Sequence, residues 1–195
     1  MQAEPLSTAA GALVQGPLLL TPRLFGDDRG FFFESWNQQT FNAAAGDTAF
    51  VQDNHSRSSR GVLRGLHYQL QPHPQAKLVR CVLGEIFDVA VDIRRSSPTY
   101  GQWVGSVLSA ENHQLLWVPA GFAHGFLTLS EQAEVLYKTT DFWSKECERA
   151  IRWDDPALAI AWPLEGLGGV QPLLAQKDAD SPTLAEAVAA GEVFA

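Results

Sequence analysis

Charge is scarce in this 195-residue chain, with Asp, Glu, Lys and Arg together making up 18%. What charge there is runs acidic: 22 carboxylates stand against 14 Lys and Arg, for a formal net charge of -8. That balance excludes a protein whose affinity comes from neutralising a phosphate backbone, so no nucleic-acid partner is expected. A small anionic ligand is still compatible with it, because a few local cations hold one whatever the global sign. Cysteine is rarer: Cys81 and Cys147 alone give no disulfide framework in a chain of this length. No apolar run approaches the ~18 residues of a membrane-spanning helix, and no charged-then-apolar leader opens the chain. No membrane partner is therefore expected, and the cytoplasm is the default compartment. Finally, none of the five histidines forms a His-x-His pair. That argues against a bound metal of the kind held by clustered imidazoles and carboxylates.

What is present is hydrophobic residue in short packets, 46% of the chain. Segments 13–20, 29–35, 49–54, 62–70, 77–84, 85–94, 102–109, 114–119, 125–130 and 133–142 are rich in Val, Leu, Phe and Trp. Gly, Pro, Asn and Ser clusters separate them, which is the pattern of many short strands. Two segments read as helices. One covers 37–45; the other covers 181–191, with Ser181 at the N-cap, Pro182 in the first turn and Gly191 at the end. The Gly- and Pro-rich stretch 163–175 reads as a loop. With no internal repeat, residues 1–195 are expected to form one mainly-β domain: an antiparallel double-sheet jelly roll, sandwich or barrel, with short flanking helices.

Strand alternation then sorts the polar groups. In EIFDVAVDIR (85–94), Phe87, Val89, Val91 and Ile93 share one face, and Ile86, Asp88, Ala90 and Asp92 the other. Buried carboxylates on such a strand need partners, so Asp88 and Asp92 are expected to pair with nearby basic groups, Asp88 with Lys77 or His67. His67 shares a face with Gly65 and Gln69; Lys77 alternates away from Leu78 and Arg80; Tyr137 sits with Val135 and Thr139. Each is on a strand where an inward side chain is feasible, although spacing alone does not bring the three together.

The ordered set RGLHYQ (64–69), KLVRCVLGEIFDVAVDIRRSSPTYG (77–101), ENHQLLWVPAGFAHGF (111–126), AEVLYKTTDFW (133–143) and QKDADSPTLAEA (176–187) resembles the dTDP-4-dehydrorhamnose 3,5-epimerase family. The resemblance begins near FGDDRGFFFES (25–35) and covers nearly the whole chain. It implies a cupin-type jelly roll, a homodimer, no metal or organic cofactor, and a dTDP-linked 4-keto-6-deoxyhexose as substrate. Carbons 3 and 5 of such a sugar flank the ketone, so inversion there needs a base, a group to hold the enolate oxygen, and an acid on the opposite face. By resemblance His67 is the base and Asp178 its orienting partner. Lys77 faces the developing charge on O4, and Tyr137 is the acid, protonated at neutral pH by its ordinary pKa of ~10. Arg29, Glu34, Gln52, Asn54, Arg64, His124, Glu148 and Lys177 match substrate-binding positions, with arginine suited to diphosphate oxygens by its two-pronged donation. Trp143 stands where an aromatic stacks on thymine, and often a tyrosine is found there. Ala175 departs from the serine usual two residues before the Lys-Asp pair.

One conflict is open at this level. Strict alternation puts Arg64 and His67 on opposite faces, so either Gly65 introduces a bulge or Arg64 serves the partner subunit's substrate. Elsewhere the plainer readings hold: His73 and His113 are loop residues, His55 is structural, and Trp117, Trp153 and Trp162 belong to core or interface. The FFF run at 31–33 reads as strand core on one face, with the other face at the dimer contact or the base pocket. Three alternatives to a 3,5-epimerase stand beside it. A metal-dependent cupin lacks its ligand cluster, and a non-catalytic sugar-nucleotide binder has no use for a base and an acid. An epimerase acting at only C3 or only C5 is the nearest rival, because the outcome depends on how the sugar sits between His67 and Tyr137.

Overall fold

The computed structural model describes residues 1–168 and 171–195. In chain order the strands are β1 (Gln2–Ser7), β2 (Leu13–Thr21), β3 (Phe25–Asp27), β4 (Gly30–Phe32), β5 (Gln52–Ser59), β6 (Leu63–Gln69), β7 (Lys77–Leu83), β8 (Glu85–Asp92), β9 (Trp103–Ser109), β10 (Leu115–Val118), β11 (Phe122–Thr128), β12 (Gln132–Thr139) and β13 (Glu148–Ala150). Helices α1 (Gln38–Ala45), α2 (Gln176–Ala179) and α3 (Leu184–Ala189) flank them. A six-stranded antiparallel sheet, ordered β1-β2-β10-β7-β12-β5, packs on a five-stranded one, ordered β13-β6-β11-β8-β9. β3 and β4 form a separate hairpin. This is the double-sheet jelly roll that the sequence predicts.

Three apolar layers hold it. Val79, Cys81, Ile86, Ala90, Phe122, Phe126 and Val135 come from both sheets and fill the space between them. The outer face of the larger sheet, through Leu20, Leu78, Leu115 and Trp117, is covered by Phe41 of α1. The outer face of the smaller sheet, through Leu63, Val89, Val91 and Leu127, is covered by Ile151, Leu158, Trp162 and Leu184. β8 is therefore apolar on both faces because both are covered, which is why its two carboxylates had to be absorbed internally. Asp92 accepts hydrogen bonds from Arg94, Ser97 and Thr99, as expected of a buried carboxylate with local partners.

Several boundaries differ from the sequence reading. The helix expected over 181–191 is α3, capped by Thr183 and not by Ser181: Thr183 and Glu186 form a reciprocal capping box, while the Ser181 hydroxyl donates to the Lys177 carbonyl. The far end agrees, with Gly191 at φ +73° just past the helix. Only Gly30–Phe32 of the 29–35 segment is strand, and the FFF run is not core. Phe31 and Phe32 are exposed, and Phe33 stacks with His113 and carries the Arg80 guanidinium. The 49–54 strand begins only at Gln52 and runs on to Ser59. Within the 163–175 loop, Leu164–Leu167 makes a single 3-10 turn, and residues 169 and 170 lie outside the described residues.

Candidate active site

The site begins with a break in alternation. His67 pairs with His124 and Arg64 with Phe126, so three steps on β6 oppose two on β11. The extra residue is accommodated at Gly65, whose φ of +123° an L side chain rarely adopts. Space demands glycine as well. A Cβ on Gly65 would stand 2.6 Å from the Gly125 Cα, and a Cβ on Gly125 would stand 2.6 Å from the Arg64 carbonyl oxygen. The bulge lets Arg64 and His67 line one cavity of about 490 Å³. Of the two readings open from the sequence, the bulge is the one the fold contains.

His124, Lys77, Tyr137, Trp143, Glu148, Lys177 and Asp178 line the same cavity. An adjoining hollow of about 110 Å³ shares His67, Lys77 and Tyr137 and adds Gln52 and Asn54. Register explains the convergence: Tyr137 lies opposite Asn54 on one side and Val79 on the other, all on the inward face of the larger sheet. His67 and His124 project from the smaller sheet to meet them. Arg29 and Glu34 are not brought to this cavity within one chain. Arg29 is exposed and ion-paired with Asp27 in a hollow of the β3–β4 hairpin, and Glu34 accepts a hydrogen bond from Asn37.

The polar groups are tightly partnered. His67 Nε2 lies 2.6 Å from Asp178 Oδ1, and the Gly65 amide donates to Asp178 Oδ2 at 3.4 Å. Burial lowers the His67 pKa below 6.5 against the pull of Asp178, so the imidazole is neutral at physiological pH and free to accept a proton. Burial alone would raise the Asp178 carboxyl, but the hydrogen bonds from His67 and Gly65 outweigh it and hold the group below its ordinary value. Lys77, buried, donates to the His67 carbonyl at 3.2 Å. Burial lowers its pKa to about 8, opposed by the charges of Asp88 and Glu148. The Tyr137 phenol is raised, first by burial, and stays protonated. Arg64 is braced by Ser58 at 3.0 Å, and Lys177 reaches Glu148 at 3.3 Å.

Sequence reasoning missed some of this. Asp88 pairs with His124 at 2.7 Å, not with His67 or by direct bond with Lys77. The register signal existed, since β8 and β11 place Ala90 opposite His124 with Asp88 two residues along on the same face. α2, which delivers Lys177 and Asp178, is only four residues long and has no periodic signature to find.

The family model for dTDP-4-dehydrorhamnose 3,5-epimerase matches residues 12–186. The chain belongs to that family. A dTDP-4-dehydrorhamnose 3,5-epimerase of Pseudomonas aeruginosa is 63% identical over 171 residues, covering 87% of this chain and 92% of the relative. Among solved structures, an epimerase of Mycobacterium tuberculosis superposes with a TM-score of 0.92 at 40% identity, covering 100% of this chain and 94% of that one. A dTDP-6-deoxy-D-glucose-3,5-epimerase of Legionella pneumophila, solved with dTDP-4-keto-L-rhamnose, gives a TM-score of 0.88 at 46% identity, covering 99% and 98%. This protein is accordingly an isomerase of the epimerase type, built on a cupin-type sandwich.

Proposed function

We propose that the epimerase inverts C3 and C5 of dTDP-4-dehydro-6-deoxy-D-glucose to give dTDP-4-dehydro-L-rhamnose. The observation that carries the proposal is that His67 on one sheet and Tyr137 on the other line one cavity beside Lys77, where burial disfavours the charged form of each. His67 takes the proton next to the ketone, and Asp178 holds the ring and stabilises the imidazolium that results. The buried Lys77 ammonium faces the enolate oxygen, where a charge contact away from bulk solvent has a large effect. Tyr137 returns a proton to the opposite face; His67 then releases its proton to solvent and the Tyr137 phenolate takes one up, which resets both groups for the same cycle at the second carbon.

Arg64, His124, Glu148 and Lys177 suit the sugar and diphosphate; Gln52, Asn54 and Trp143 suit the nucleotide. Arg29 and Glu34 match binding positions of the family yet lie away from their own chain's cavity, which supports a homodimer in which a second copy brings them to it. The core shared by both sheets supports reading residues 1–195 as one domain. Among the described residues no helix is long and apolar enough to cross a membrane. Cytoplasmic placement, with no metal or organic cofactor, is part of the same proposal. A second reading, inversion at one carbon only, has one observation in its favour. A 3'-monoepimerase of Streptomyces bikiniensis shares the fold at 35% identity with a TM-score of 0.87.

One experiment separates them: turnover of the 4-keto sugar nucleotide in D2O, with label and configuration at C3 and C5 read by NMR. Wild-type protein is expected to label and invert both carbons; label confined to one would establish the monoepimerase. Tyr137→Phe is expected to let deuterium enter with retained configuration while inversion falls by ~10²-fold or more. Inversion at the wild-type rate in that variant would remove Tyr137 from the mechanism.

A further inference from the structure

Gln69 lies two residues beyond His67 on the same strand and is buried, 3% exposed. Both ends of its amide are engaged with loops. Nε2 donates to the carbonyls of His73 at 2.7 Å and Phe142 at 3.2 Å, and Oε1 accepts from the Ser144 amide at 2.8 Å. Between those two contacts the Trp143 amide donates to Gln52 Oε1 at 3.1 Å. Two glutamines thus hold three consecutive residues of a segment that has no regular structure of its own. The indole of Trp143 is meanwhile 55% exposed at the cavity rim. Ser144 extends the clamp, since its carbonyl accepts from the Glu148 amide at 2.9 Å.

A loop between two strands ordinarily samples several conformations, and a ring carried on it binds only after those are given up. Here the loop is tied to the strand that carries the base. We infer that Gln69 is a positioning residue: by holding Phe142 and Ser144, while Gln52 of β5 holds the Trp143 amide, it fixes Trp143 at a set distance from His67. A merely structural amide would affect folding stability and leave substrate affinity alone. The inference rests on the reading of Trp143 as the nucleotide platform.

The test compares wild type, Gln69→Met, Trp143→Ala and the double variant, measuring kcat, KM for the dTDP-linked 4-keto sugar, and thermal midpoint. Gln69→Met keeps the side-chain length and removes all three hydrogen bonds. It is expected to raise KM about tenfold with a much smaller change in kcat, the mark of lost pre-organisation. In the Trp143→Ala background the same change should alter KM less than about twofold, because residues that act through one another are not additive. An equal rise in KM in both backgrounds would overturn the inference, as would a fall in kcat with KM unchanged. If Trp143→Ala itself leaves KM unchanged, the platform reading fails, an outcome distinct from failure of the coupling. Should Gln69→Met not fold, Gln69→Glu completes the same comparison: it keeps an acceptor for Ser144 and loses both donated bonds.

Discussion

The cavity holds two histidine–carboxylate pairs on facing positions of neighbouring strands, and their distances are nearly the same, 2.6 Å for His67–Asp178 and 2.7 Å for His124–Asp88. Their surroundings differ. The His67 side chain is 24% exposed to the cavity, and its carboxylate arrives on a short helix. The His124 side chain is 9% exposed, and Asp88, on the adjoining strand, has no exposure at all. A hydrogen-bonded pair is therefore no evidence of a base by itself. His67 has a face on which a carbon acid can sit; His124 is held as a fixed hydrogen-bonding group, and Asp88 adds its charge to the field around Lys77.

The strongest way to break this contrast is to exchange the fates of the two rings. His67→Asn is expected to lower turnover and solvent exchange at both carbons by ~10³-fold or more, the upper range for loss of a general base. The same change at His124 should cost far less, and NMR in D2O scores both variants. Exchange that survives in the first variant and vanishes in the second would reverse the assignment of the base.

The carboxylates should separate along a different axis. Asp178→Asn is expected to lower kcat by ~10²-fold, because the imidazole stays in place without its orienting charge. Asp88→Asn should change kcat less and cost about 1–3 kcal/mol of stability, since a fully buried partner of His124 is altered. Urea unfolding beside steady-state kinetics distinguishes the two.

The titration behaviour sharpens the contrast further. With His67 lowered below 6.5, kcat/KM should fall as pH drops through a value beneath that of an ordinary histidine, since the protonated ring cannot accept a proton. On the alkaline side kcat/KM should fall near pH 8 as Lys77, at about 8, loses its charge. Lys77→Arg should move that limb upward, because guanidinium does not titrate in this range. A flat profile to pH 10 in the unaltered protein would remove the cation from the reaction. The smallest effect is expected from exhaustive EDTA treatment, which should leave turnover unchanged; loss restored by one divalent ion would introduce a metal into the site.

Much of this was legible in the sequence because strands announce themselves through alternation. β7, β8, β9, β10 and β12 fall where their Val, Leu and Trp packets put them, and α1 begins at its Asn37 cap. Legibility failed where tertiary contacts decide. β13 is three residues long and exists because β6 offers it an edge, and α2 needs the sheet beneath it. Alternation correctly put Gln69 on the face of His67 but could not show that Gly65 resets the phase for Arg64. Arg29 and Glu34, assigned by resemblance alone, do not line their own chain's cavity; the proposed homodimer is what would bring them to one.

The bond between His67 and Asp178 joins residues 111 positions apart. Closing a loop of that length is slow relative to forming local turns, because long-range contacts reward the chain only after its ends have met. On the proposed mechanism, a chain that has completed both sheets still lacks the orienting charge of its base until α2 docks. In refolding from urea, β-sheet circular dichroism is expected to recover before epimerisation. On that reading, turnover during refolding reports the arrival of residue 178, an event to which a spectrum of the sheets is blind.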